Sequence, residues 1–336
     1  MGIPGLWKAV KAAASKRSYY EFTATEAVKK RDVNRRNIII GIDLRAMMCE
    51  CVAASLGGTV NSKASEVKAF FKKLSILKRG KGVVDRDLWW LHLAIRLIEY
   101  FRFYWYKAPG EAEAELAELN RRGFIDGIIT IDSDTLAFGA NCVLRSLPAG
   151  RREVFNDEVE VYTSESLQNK VSLSHGGLIL FALLAGGDYH GGVQGCGQII
   201  AFGLAHCEFG NMLLDAVEKA ADLNNFRQVL CRVIRDELAT NSRGHMDTRH
   251  PSPAAAFPDD FLDLDVLQLY TKPLTSWSHG QTIPSCKEWR TREPAIAKIA
   301  DFCSEHFGWT SEAVLKKNLR THLFEGVFAE MLFSVR

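Results

Sequence analysis

Paired cysteines are missing from this chain of 336 residues. Its eight cysteines (Cys49, Cys51, Cys142, Cys196, Cys207, Cys231, Cys286, Cys303) form no CxxC pair, and none has a histidine at zinc-finger spacing. That excludes a disulfide framework and a structural zinc site, and leaves reduced, mostly buried thiols. Long apolar runs are also missing, which excludes a helical membrane span. The opening MGIPGLWKAVKAAASKRS has no apolar signal-peptide core, and Leu6 stands where a myristoylation signal needs Ser or Thr, so an intracellular protein is expected. No internal repeat is visible, which argues against a solenoid.

Strong net charge is absent too, but the formal +2 hides an asymmetry. Residues 1–110 hold 21 Lys or Arg against 9 Asp or Glu, and the remainder holds 21 against 31. The basic part includes KKRDVNRR at 29–36 and KRGK at 78–81. Any single run of this kind is usually a solvated helix face. Beside an acidic cleft, a basic surface suits a polyanion.

What the chain does contain is carboxylate at the ends of apolar segments. Asn37–Ile42 (NIIIGI) has the β-branched pattern of a buried strand and ends at Asp43. Gly127–Ile131 (GIITI) is a second, ending at Asp132-Ser133-Asp134. Ligands of open α/β sheets bind at the carboxyl ends of such strands. In an extended chain, the spacing of Asp132 and Asp134 puts both on one side. Ala112–Arg122 is helical by propensity, opening after Pro109-Gly110 and stopping at Gly123. Glu113 and Glu115 lie about 200° apart on a regular helix, so they can share an ion only from its opening turn or through water. Gly186-Gly187 introduce Asp188, and glycine lets backbone approach a charged partner closely. Burying six unpaired carboxylates is costly, and a cation would neutralise them.

Leu88–Tyr106 reads as an apolar helix with His92, Arg96 and Glu99 as a thin polar stripe, structural rather than liganding. Gly191–Gly197 forms a glycine turn before QIIAFGLAH, a helix opening whose free N–H groups suit a phosphate. Residues 241–260 are polar, Pro-rich and aperiodic, and read as a mobile linker. Helical patterns return over Glu293–Phe307 and Glu312–Val335.

Four runs in order resemble the flap endonuclease/XPG superfamily of structure-specific 5′ nucleases: MGIPGLW, IIIGIDLRAMM, APGEAEAELAELNRRGFIDGIITIDSDTLAFGA and LLAGGDYHGGVQGCGQIIAFGLA. The last run, with FC..HFGW at 302–309, is most similar to fungal GEN-type Holliday junction resolvases. The resemblance implies an α/β fold: a mostly parallel central sheet flanked by helices (a PIN-like/XPG nuclease core), a helix-two-turn-helix and a helical C-terminal extension. It divides the chain into an N-terminal nuclease region (1–104), an internal nuclease region (105–190), a helix-two-turn-helix (191–240), a linker (241–260) and the extension (261–336). It implies structure-specific, two-metal hydrolysis of branched double-stranded DNA, a 5′ flap or Holliday junction, in nuclear recombination or repair, with possible pairing of two copies on a four-way junction. Asp43, Glu113, Glu115, Asp132, Asp134 and Asp188 match the metal-coordinating acids of two Mg²⁺ ions, which activate a water and stabilise the leaving 3′ oxygen. Gly195, Gly197 and Gln198 match the turn that grips duplex phosphate through a bound K⁺. Gly2 matches the segment where the junction is split, and Lys78, Arg79 and Lys81 match the basic stretch.

One departure stands out. The family's apolar strand ending in an FDGP-type motif, with a further metal-ligand Asp, is missing where FFKKLS at 70–75 runs into ILKRGKGVV. Asp85 and Asp87 fall beyond the basic run and do not replace it. Ile131 and Arg45 also depart from the family's Glu and small residue. The alternatives are therefore a catalytically impaired junction-binding relative, a gene product lacking the segment, or, on the same fold, a post-transcriptional regulator. A GEN-type chain would be expected to continue into a chromodomain-like module beyond residue 336.

Overall fold

A computed structural model describes all residues except 1, 32–37, 57–64, 77–89, 147–156, 220–221, 286–288, 290–291 and 335–336. Lys78, Arg79, Lys81, Asp85 and Asp87 lie outside the described residues.

In chain order the first half runs α1 (Leu6–Ala9), β1 (Ser15–Ser18), α2 (Tyr19–Arg31), β2 (Ile40–Ile42), α3 (Leu44–Leu56), α4 (Ser65–Ile76), α5 (Leu91–Tyr100), α6 (Ala112–Arg121), β3 (Gly127–Ile129), α7 (Asp134–Ala137), β4 (Cys142–Ser146) and β5 (Glu158–Thr163). Helices complete it: α8 (Ser164–Val171), α9 (His175–Ala185), α10 (Gln198–Ala205), α11 (Phe209–Glu218), α12 (Leu223–Thr240), α13 (Pro251–Ala256), α14 (Leu264–Thr271), α15 (Ile296–Phe307) and α16 (Glu312–Ser334).

The strands form one sheet in the order β1-β5-β4-β3-β2. Its parallel part is β2-β3-β4, with Ile40, Gly41 and Ile42 opposite Gly127, Ile128 and Ile129. β5 and β1 join antiparallel. The expected helix-flanked α/β sheet is present, and among the described residues no strand borders β2 on its outer side. β2 and β3 are buried throughout, as their unbroken apolar runs require.

Apolar cores lie on the two faces of the sheet. One joins α1, α6 and α9–α14 around Leu116, Phe181 and Leu204. The other joins α3, α4, α5 and α15 around Phe70, Phe71, Trp90 and Phe302. Gly41 is the contact point of α6 with the sheet: a Cβ there would sit 2.5 Å from Leu116 and 2.6 Å from Ile125. This seats the amino end of α6 beside the carboxyl end of β2. The apolar helix α9 is buried on nearly every side and ends at Gly186 (φ 88°), which releases the chain toward Asp188.

Two local expectations are corrected. The helix expected over Leu88–Tyr106 stops at Tyr100, because Arg102 takes a left-handed backbone (φ 60°) and residues 103–106 run irregularly. Residues 241–260 are not a loose tether. Asn241 caps α12 in a left-handed conformation, and its side chain bonds both N and O of Met246. Pro251 opens α13 at the position where its fixed φ is favourable, and Arg235 donates to the Phe257 carbonyl at 2.8 Å. Asn241, Ser242, Arg243 and Asp259 are held by hydrogen bonds of their side chains, while Met246, Ala254 and Phe257 are buried.

Candidate active site

Asp43 follows β2 and is buried. Its Oδ1 accepts the Ala46 amide at 3.0 Å, and its Oδ2 accepts the Thr130 hydroxyl at 3.2 Å. Thr130 Oγ1 also accepts the Asp132 amide at 3.0 Å, so one side chain ties together the two acidic strand ends. Asp132 Oδ1 in turn accepts the Asp134 amide at 3.0 Å. Asp134 is the first residue of α7 rather than part of an extended strand, so the Asp132–Asp134 spacing works through a side-chain turn at a helix start, not through strand alternation.

The N-terminal segment clamps this turn. Ile3 N donates to Ser133 Oγ at 2.8 Å, and Trp7 Nε1 donates to the Ile131 carbonyl at 2.8 Å. Gly2 (φ 79°) lies against the acids: a Cβ there would fall 2.2 Å from Asp132 Oδ1 and 2.8 Å from Asp134 Oδ1. The same segment lines a cleft with Lys8, Lys11 and Arg145, a basic wall next to the acidic turn. Lys11 and Arg145 both pair with buried Glu160.

The helix α6 supplies the next acids, and one departs from expectation. Glu113 lies beside Asp43, and the charges of Asp43, Asp132 and Glu111 act on it. Glu115 instead turns away. It accepts the Tyr106 hydroxyl at 2.7 Å and the Ser276 amide at 2.8 Å, and is fully buried. The acid that joins Glu113 is Glu111, the N-cap of α6, which also accepts from the Tyr189 hydroxyl. Glu111 acts on Asp134 as well. Alternate glutamates at 111, 113 and 115 permit either register. Only the pair straddling the helix start avoids the 200° divergence, so the signal for Glu111 was present in the spacing itself.

Asp188 completes the group from beyond α9, its charge acting on Asp132 and Asp134. Burial pushes the Glu113 carboxyl up to about 9, with the charge of Asp43 adding to it. Burial and then the charges of Asp132, Asp188 and Glu111 push Asp134 up to about 7. Asp43 and Asp132 are also raised, burial being the main cause in each. Among the described residues no three His, Cys, Asp or Glu side chains lie close enough to enclose an ion by themselves. The acids line a cleft in which oxygens from water or substrate would complete a coordination shell. Their chemistry fits a hard divalent cation: the donors are carboxylate oxygens, their mutual repulsion is unrelieved, and Asp134 Oδ1 is buried without a partner.

The turn at Gly195, Gly197 and Gln198 lies away from this cluster, opening α10 with Gly197 as its N-cap and Gly195 at φ 84°. All three are exposed. The Gln198 side chain covers Gly5, where a Cβ would meet it at 2.1 Å, so this turn and the N-terminal segment touch.

Residues 102–188 match the XPG I-region family model. The chain is 39% identical over 127 residues to the flap endonuclease GEN-like 1 of Arabidopsis thaliana, a match covering 37% of this chain and 20% of that protein. Its fold is similar to the junction-resolving enzyme GEN-1 binding with potassium, at TM-score 0.75 and 26% identity, over 97% of this chain and 78% of that one. It is similar also to GEN1 in complex with product DNA and an Mg²⁺ ion, at TM-score 0.71 and 26% identity over the same shares. The resemblance to the XPG superfamily and its GEN-type members therefore holds in both sequence and fold. The chain spans about a fifth of the Arabidopsis relative it matches.

Proposed function

We propose that this XPG-type chain is a structure-specific endonuclease that hydrolyses phosphodiesters in branched DNA, a 5′ flap or a Holliday junction. The observation that carries the reading is the convergence of Asp43, Glu111, Glu113, Asp132, Asp134 and Asp188 from separate stretches of chain, with proton affinities raised by burial at Asp43, Glu113, Asp132 and Asp134 and raised further by neighbouring acids at the last three. Two divalent ions, Mg²⁺ as in the GEN1 complex, would be held by these acids, and would supply activation of water and stabilisation of the leaving 3′ oxygen. Thr130 and Ser133 fix the acidic turn by hydrogen bonds, and the Gly2–Trp7 segment shapes the cleft. The basic wall of Lys8, Lys11 and Arg145 lies where an incoming phosphate backbone would be neutralised.

The exposed Gly195–Gln198 turn would grip duplex phosphate through K⁺, by analogy with the potassium-bound GEN-1 structure. Pairing of two copies on a four-way junction and work in nuclear repair or recombination belong to the same reading. The test is Mg²⁺-dependent incision of flap and four-way-junction substrates, abolished by Asp132→Ala. No cleavage by a folded wild-type chain at any metal concentration would refute it.

A second reading, a junction-binding relative that does not cut, is favoured by β2 having no outer neighbour among the described residues. That is where a strand carrying one more acid would stand. Gel-shift binding of junctions without incision would select it.

A further inference from the structure

The end of α5 and the start of α15 enclose a pocket of about 400 Å³, and none of the candidate acids lines it. That volume falls within the range of small-ligand sites. Contacts on both sides fix its walls. The Ala295 amide donates to the Tyr100 carbonyl at 2.8 Å, tying the approach to α15 onto the end of α5. Tyr100 packs against Phe302 with ring centroids 6.2 Å apart, and Tyr104 packs against Trp289 at 5.8 Å.

Three cations, Arg102, Arg292 and Lys298, line the pocket against a single carboxylate, Glu99. Neither Arg102 nor Lys298 forms an ion pair among the described residues, although Glu99 is at hand. The Lys298 ammonium lies instead 5.8 Å from the Tyr100 ring centroid. Tyr100, Tyr104 and Trp105 add half-buried rings, and Trp105 meets no other ring among the described residues.

Arg102 separates this pocket from an ordinary solvated surface. It takes the left-handed position just after α5 (φ 60°). Its amide bonds the Glu99 carbonyl, and the Phe103 amide bonds the Ile98 carbonyl, each at 3.0 Å. Glycine commonly fills such a position, because a side chain is strained there. The chain keeps arginine at a backbone cost that glycine would avoid, and the exposed guanidinium stands at the pocket.

We propose that this pocket binds a nucleotide, its phosphate held by Arg102, Arg292 and Lys298 and its base laid against Trp105. Guanidinium groups match phosphate oxygens in geometry, and every base has a face to stack. A free mononucleotide and a unit within a single DNA strand share this chemistry.

The test is calorimetric titration of the full chain in EDTA, which prevents cutting, with AMP in one arm and a short oligo(dA) in the other. Binding of AMP identifies a free nucleotide as the occupant, and binding of the oligonucleotide alone identifies a strand. Arg102→Gly should weaken binding about tenfold or more, while its unfolding temperature stays equal or rises because glycine suits the left-handed backbone. Lys298→Ala should weaken binding in the same direction, and Trp105→Ala should cost about fivefold or more through lost stacking. Wild-type affinity in Arg102→Gly, or no binding of either probe by the wild-type chain, would overturn the proposal. Inorganic phosphate bound as tightly as AMP would overturn it too, since the rings would then contribute nothing. So would a loss in Arg102→Gly that comes with a lower unfolding temperature and is not repeated by Lys298→Ala.

Discussion

Single side chains decide which acids face the cleft. Glu115 and Glu113 are neighbours in one motif with opposite surroundings: one is saturated by Tyr106 and Ser276, the other pressed against Asp43. Glu115→Ala should therefore cost stability, about 1–3 kcal/mol for each buried partner left unpaired. It should leave divalent-ion affinity near wild type, while Glu111→Ala should weaken ion binding with little change in unfolding temperature. Calorimetry with Mn²⁺ and thermal unfolding separate the two. Gly2→Ala places a methyl on the oxygens of Asp132 and Asp134 and forces a left-handed φ on a residue with a side chain, so ion binding and incision should both fall sharply.

The crowded acids also set a pH dependence for the metal-free protein. Glu113 is pushed from 4.5 up to about 9 and Asp134 from 3.8 up to about 7. The folded state therefore binds more protons than the unfolded one above those ordinary values. The stability they contribute is present at acid pH and is lost as pH climbs through 7 and then 9. In EDTA the unfolding temperature should fall across that window, and added Mg²⁺ should restore it most at the alkaline end.

Elements deliver those side chains, and their visibility in the sequence is uneven. The strands at Asp43 and Asp132, the helix stop at Gly123 and the glycine exit to Asp188 are legible, because each depends on residues adjacent in the chain: an apolar run, a left-handed glycine, a cap. The acids of α6 fall one repeat earlier than expected because Glu-Ala-Glu-Ala-Glu is ambiguous until something outside the helix claims Glu115. That claimant, Ser276, lies 161 residues away, beyond the reach of any local pattern. The packing of 241–260 is hidden for a related reason, since a Pro-rich polar stretch has the composition of a linker whether or not its hydrogen bonds close on themselves. The α1 segment offers a test at this scale. Trp7→Phe keeps a ring beside Tyr162 but removes the N–H that holds the Ile131 carbonyl. Loosening of the Ile131–Asp134 turn should then appear as faster amide exchange at Ser133 and Asp134, with the sheet unaffected.

At the scale of the whole molecule, charge is divided unevenly along the chain. The first 110 residues carry the excess of Lys and Arg, and the acids of the cleft come mostly from later in the chain. If the chain binds DNA as proposed, affinity should fall steeply as salt rises, and Lys8→Ala should flatten that slope by about one unit for the phosphate no longer neutralised. Binding isotherms over a salt series measure it. The departure at residues 70–84 carries a different consequence. Because β2 is an edge strand among the described residues, laddered there to β3 alone, Asp43 stands at a margin of the sheet and moves with that strand. Partial fraying of that margin would silence the cleft long before the body of the protein melts, so heat or mild denaturant should extinguish cation uptake ahead of the cooperative transition.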